Sequence, residues 1–108
     1  MQTRELREEV RVPITHRAVL GLPSASYPCL IQEFSSKGFL IMSSVKAQPG
    51  DTLDLKCELY AERFLQCKIE VRHINDDCMG TKVVEMSHAG LTLCRQFIDE
   101  HVSLKRFR

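Results

Sequence analysis

The chain has no tryptophan and only two tyrosines beside five phenylalanines. Most of those rings sit in apolar runs instead of basic surroundings, so no stacking surface for single-stranded nucleic acid is expected. An excess of one charge is missing too. Fifteen Lys and Arg face 14 Asp and Glu, a formal net charge of +1, which argues against a nucleic-acid coat or a polybasic membrane binder. No apolar run approaches the roughly 18 residues of a membrane span, so no membrane insertion is expected. The opening MQTRELREEVR is charged throughout and has no apolar h-region. No signal peptide is therefore expected, and a cytoplasmic location is.

Cysteine is present but not in patterns that carry chemistry. The five residues, Cys29, Cys57, Cys67, Cys78 and Cys94, form an odd set without a close pair, a poor disulfide framework. There is no C-x-x-C and no H-E-x-x-H, and His16, His73, His88 and His101 are scattered. Neighbours such as those in CLI and TLC suit a reduced cysteine acting as a small hydrophobe. The four histidines are read as structural. No nucleophile with a base and no phosphate-cradling glycine-rich loop is found, so neither an enzyme nor a cofactor or metal is expected.

What remains is a chain of 108 residues with 44% hydrophobic content, enough for one domain with one core. Residues 1–12 are polar and interleave Arg4, Arg7 and Arg11 with Glu5, Glu8 and Glu9. Pro13 disfavours helix at Val12, so this stretch is read as an arm or short helix. From Pro13 to about Met86 the pattern is of strands. ITHRAVLGL is rich in branched residues and is followed by PSASYP, read as a turn. CLIQEF is broken by SSKG, and FLIMSS is a further apolar run. In AQPGD, Pro49 and Gly50 suit the central positions of a type II turn. In TLDLKCEL, Leu53, Leu55, Cys57 and Leu59 alternate with Asp54, Lys56 and Glu58. FLQCKIEVRHI alternates as well, with an apparent slip of register between Phe64 and Cys67. NDDCMG reads as a turn and TKVVEM as a last strand.

The period changes near Ser87, a candidate helix cap. Leu91, Cys94, Phe97, Ile98, Val102 and Lys105 then fall near one stripe of a helix over about 87–106. Six or so short strands followed by one helix predict a mainly β fold, a small antiparallel β-barrel whose helix covers an open end or edge.

Two short motifs add to this. Arg7-Glu8-Glu9-Val10-Arg11 is an R-x-x-x-R that leads directly into Val12-Pro13-Ile14. Glu33-Phe34-Ser35-Ser36-Lys37-Gly38 is an E-x-S-x-x-G at a strand end. In this order they resemble the PilZ domain family, with its R-x-x-x-R, then a strand, then [D/N]-x-S-x-x-G. Pro49-Gly50-Asp51 is similar to that family's P-G-D turn, and Met79-Gly80-Thr81-Lys82-Val83-Val84 to its late glycine-containing hairpin. The likeness runs from about residue 4 to 104.

The resemblance implies a six-stranded antiparallel split barrel over 13–108 with a C-terminal helix, preceded by a flexible N-terminal arm over 1–12. It implies a receptor for the bacterial second messenger cyclic di-GMP that relays binding to a partner protein in motility, pilus, biofilm or polysaccharide control. The residues it points to are Arg7, Arg11, Glu33, Ser35 and Gly38, with Arg4 and Ser36 as auxiliaries. Arginine suits two phosphates and two guanines because its planar fork grips either in bidentate fashion and also stacks on a base. Ser35 would offer a short hydroxyl, and Gly38 a close backbone approach. Two departures stand out. Glu33 replaces Asp or Asn, moving the carboxylate outward by about 1 Å and adding rotamers to freeze. Leu6 stands where the family often has another arginine. They leave open an alternative, a PilZ-type adaptor that acts by protein contacts without binding the nucleotide.

Overall fold

The computed structural model describes residues 11–106, and Arg4, Arg7 and the rest of residues 1–10 lie outside them. Six strands run β1 Val12–Leu22, β2 Ala25–Phe34, β3 Phe39–Met42, β4 Thr52–Tyr60, β5 Arg63–Asn75 and β6 Cys78–Met86, followed by the helix α1 His88–Arg106. All pairings are antiparallel, and the sheet closes into a barrel in the order β1-β2-β3-β6-β5-β4. The mainly β fold with a C-terminal helix is as the sequence predicts. Closure removes the exposed edges that an open sheet would present.

Period-2 alternation explains the interior. Leu53, Leu55, Cys57 and Leu59 of β4 are all buried, while Asp54, Lys56 and Glu58 face out. The apparent slip in β5 is not one. Leu65 is the inward residue, continuing through Cys67, Ile69 and Val71, and Phe64 is 48% exposed with Lys56 over its ring at 4.9 Å. Two adjacent apolar residues hid the phase, and pairing of Leu65 with Cys57 fixes it.

The four cysteines 29, 57, 67 and 94 are buried and free, and Cys78 is half-buried. Burial among apolar atoms pushes Cys57 and Cys67 up to about 12, and Cys29 and Cys94 to about 11. Such thiols stay protonated and pack as hydrophobes.

The turns follow local chemistry. Gly50 has φ +99°, and the Asp51 amide donates to the Gln48 carbonyl at 3.0 Å, as a type II turn requires. By contrast, PSASYP is a turn only at Pro23-Ser24. Strand β2 begins at Ala25 and carries Pro28, because β3 pairs with β2 only from Leu30 onward. On that side Pro28 has no neighbouring strand to miss its amide. Likewise NDDCMG is a turn only at Asp76-Asp77, and β6 begins at Cys78.

Ser87 caps α1 as expected, its Oγ accepting from the Gly90 amide at 3.0 Å. Leu93, Cys94, Phe97 and Ile98 are buried, whereas Leu91 and Val102 are half-buried. Phe97 docks the helix on the barrel, with its ring 4.9 Å from Phe34 and 5.7 Å from His16. His16 also bridges the narrow β1–β4 seam, where only Val19, Leu20 and Gly21 find partners. Its Nε2 donates to the Glu58 carbonyl at 2.7 Å. Tyr60 adds a latch by donating to Glu100 Oε1 at 2.6 Å. Among the described residues no helix is long and apolar enough to cross a membrane.

Candidate functional site

The loop between β2 and β3 is built by one hydroxyl. Ser35 is 2% exposed. Its Oγ donates to the Gly38 carbonyl at 2.9 Å and accepts from the amides of Lys37 at 3.1 Å and Gly38 at 3.0 Å. A hydroxyl has one donor and two acceptor positions, and these three bonds shape the turn. The Ser35 amide closes the loop by donating to the Gly38 carbonyl at 3.1 Å. From behind, Cys94 Sγ of α1 lies 3.8 Å from the Ser35 carbonyl.

Gly38 is required by its contact with β6. A β-carbon there would overlap the Thr81 carbonyl oxygen and stand 3.2 Å from its carbon. Around that contact the loop is bolted to β6. The Val83 amide donates to the Lys37 carbonyl at 2.8 Å, and the Thr81 hydroxyl joins the Phe39 amide and carbonyl at 3.2 and 2.9 Å.

This turn forms one wall of a cavity of about 310 Å³, at the low end of the roughly 300–1,000 Å³ of small-molecule sites. Arg11, Glu33, Ser35 and Gly38, named from sequence, all line it. Arg11 Nη1 lies 3.6 Å from Glu33 Oε1, and the two side chains are 63% and 36% exposed. The carboxylate at this position therefore reaches the second arginine of R-x-x-x-R. Such an exposed pair contributes at most about 1 kcal/mol to stability, so its consequence is orientation of the guanidinium. Ser36 is half-buried in the turn and is not among the lining residues.

The opposite wall holds two residues that sequence reasoning gave no part in binding, Arg72 and His73. Val71 pairs with Thr81 and His73 with Gly80, so β5 carries one extra residue there, a β-bulge. Strict alternation would send His73 inward after Val71. The bulge instead leaves both Arg72 and His73 exposed. The His73 ring occupies the space a side chain at Gly80 would fill, and a β-carbon there would lie 2.8 Å from Cδ2 and closer still to Cε1 and Nε2. A glycine within a strand signals a bulge or close approach, so Gly80 was the available clue.

A larger open groove of about 960 Å³ crosses the outer face of the sheet near Val19, Leu30, Met42 and Phe64. Its lining is mostly apolar, and none of the sequence-predicted site residues enters it. Among the described residues no group of three or more His, Cys, Asp or Glu could hold a metal ion.

Solved structures share this fold. The inhibitor of motility MotI/DgrA of Bacillus subtilis superposes with a TM-score of 0.82 at 21% identity, covering 93% of this chain and 53% of its own. The PilZ domain of CeSA from a cellulose-synthesising bacterium gives 0.68 at 10% identity, covering 84% and 96%. The PlzA protein of Borreliella burgdorferi, solved in complex with c-di-GMP, gives 0.68 at 15% identity, covering 89% and 44%. The chain thus spans about half the length of MotI/DgrA and of PlzA. No curated protein sequence matches it. The family model for the PilZ domain matches residues 5–100, a span that takes in both motifs, all six strands and most of α1. The chain belongs to the PilZ domain family.

Proposed function

We propose that the chain is a cyclic di-GMP receptor that binds the ligand between its N-terminal arm and the cavity beside the Ser35–Gly38 turn. The supporting observation is convergence: Arg11 and the motif from Glu33 to Gly38, far apart in sequence, line one cavity. Arg11 supplies a planar cation for a phosphate or for a guanine edge. Glu33 orients that cation and gives up the contact when phosphate arrives. Ser35 and Gly38 keep the floor in shape and free of a β-carbon. Arg7, with Arg4 as auxiliary, would close over the ligand from the arm, since a cavity of this size does not enclose two guanines and two phosphates. Part of the binding free energy would go into ordering that arm.

Ordering the arm would change the surface offered to a downstream protein, and this is how the domain would pass on a signal. A cytoplasmic adaptor in motility, pilus, biofilm or polysaccharide control fits such a device.

Calorimetry with cyclic di-GMP on wild type, Arg7→Ala and Arg11→Ala tests the proposal. Wild type should bind at micromolar concentrations, and each variant should bind at least tenfold more weakly, since hydrogen bonds to charged groups contribute about 1.5–3 kcal/mol. No heat from wild type at tens of micromolar, or equal binding by the arginine variants, overturns it. The adaptor that works without nucleotide would then stand. Glu33→Asp separates the two further, because a large gain in affinity would mean that the longer carboxylate holds Arg11 away from the ligand.

A further inference from the structure

Resting on the receptor reading above, we infer that the Arg72–His73 bulge is the second half of the ligand site: His73 is a stacking platform for a guanine, and Arg72 a cation for the ligand's phosphate. Three observations carry this. The bulge turns two consecutive side chains outward at the one place where they line the cavity of Arg11 and Glu33. The His73 ring is seated against the Cα of Gly80, so its position is set by the absence of a side chain there. The residue is exposed and lines the cavity. A flat ring held by a backbone surface meets a purine with little ordering cost, because base stacking on aromatic side chains needs a π-face and tolerates varied geometry.

Arg72 supplies what this wall needs beside the platform. The ligand carries two phosphates, and Arg11 on the facing wall already has Glu33 as a neighbour at 3.6 Å. A second guanidinium across the cavity allows the two phosphates to be met from two sides. Neither Arg72 nor His73 belongs to R-x-x-x-R or to E-x-S-x-x-G.

The experiment is calorimetry with cyclic di-GMP on the full chain, with thermal melts to check folding. Both side chains are exposed, so His73→Ala and Arg72→Ala should melt as wild type does. His73→Ala should weaken binding about five- to 150-fold, the range for loss of one base stack. His73→Phe keeps a ring and should bind at least threefold tighter than His73→Ala. Gly80→Ala removes no ligand contact but displaces the ring, and should weaken binding at least about fivefold. Arg72→Ala should weaken binding about tenfold or more and make it less sensitive to added salt, as loss of a phosphate contact requires. If all four variants bind as wild type while Arg11→Ala does not, the bulge has no part in the site and the receptor reading survives. If His73→Phe binds no better than His73→Ala, stacking is wrong. If wild type itself fails to bind, the receptor reading falls and this inference with it.

Discussion

The two walls of the cavity are built on opposite principles. On the Ser35–Gly38 side a buried hydroxyl makes three hydrogen bonds within the turn, and Gly38 sits against the Thr81 backbone. On the Arg72–His73 side the side chains are exposed, and the atoms nearest a β-carbon at Gly80 all belong to the His73 imidazole. Ser35 and Gly38 on the first wall therefore fix shape, while Arg72 and His73 on the second wall leave their side chains exposed. Substitutions that strike one wall by way of its backbone and the other by way of its side chains test the contrast.

The largest expected effect is Gly38→Ala. The new β-carbon would overlap the Thr81 carbonyl oxygen, and neither partner is a flexible side-chain end. The loop and β6 must separate, which strains the Lys37–Val83 and Phe39–Thr81 hydrogen bonds. A loss of about 3 kcal/mol is expected, at the upper end for overpacking, and a lower midpoint in urea would reveal it. Ser35→Ala comes next. It leaves the Lys37 and Gly38 amides without the Oγ acceptor in a part-buried turn, a cost of about 1–3 kcal/mol. A Ser35→Ala protein as stable as wild type would show that the hydroxyl does not hold the turn, erasing the distinction between the walls.

A smaller effect comes through the helix that backs the first wall. The hydrogen bond from Tyr60 holds Glu100 below the usual carboxylate range, with help from Gln96. Loss of solvent around the ring, and then Glu100, push Tyr60 up to about 12. A carboxylate whose folded pKa is depressed gives stability that is present above its unfolded pKa and lost as pH falls through the folded one. A phenol whose folded pKa is raised gives stability that is present below its unfolded value near 10 and lost as pH rises through about 12. The denaturation midpoint should fall at both extremes, and Tyr60→Phe should flatten both limbs. Amide exchange would locate the effect, with Lys37 and Gly38 loosening together with α1 while Gly80 does not. Equal loosening of both walls would mean that the helix supports the whole cavity.

How much of this was legible in the sequence follows from the same physics. The phase of β4, the Pro49-Gly50 turn and the Ser87 cap depend on neighbours within a few residues, and local pattern reveals them. The phase of Phe64 and Leu65 does not, because either could face inward until Leu65 pairs with Cys57. The bulge at Arg72 is a property of two strands counted against each other, so β5 alone carries no trace of it. For that reason His73 read as structural. Glu33 stood out as a departure, but that its longer side chain meets Arg11 depends on β1 and β2 bringing positions 11 and 33 together. Of the arginines named from R-x-x-x-R, Arg11 lies within the described residues, while Arg7, like the auxiliary Arg4, lies outside them.

The smallest expected effect on stability decides most about the comparison. Gly80→Ala creates a β-carbon as badly placed as the one at Gly38, with three atoms of the His73 ring in its way. The obstacle here, however, is the far end of an exposed side chain, which can turn about its χ angles to another rotamer. Replacing glycine within a strand also recovers about 0.5–1 kcal/mol of backbone entropy. Loss of the ring contact and gain of chain stiffness should nearly cancel, leaving the unfolding free energy within about 1 kcal/mol of wild type. Two equally severe steric insults, one on each wall, would then differ by about 2 kcal/mol or more in consequence, solely because one meets a carbonyl and the other an imidazole. Urea midpoints for Gly38→Ala and Gly80→Ala, measured side by side, settle it. Should Gly80→Ala prove as costly as Gly38→Ala, the bulge is as rigid as the turn, and His73 is a wedge that β5 and β6 need for pairing instead of a platform held ready at the surface.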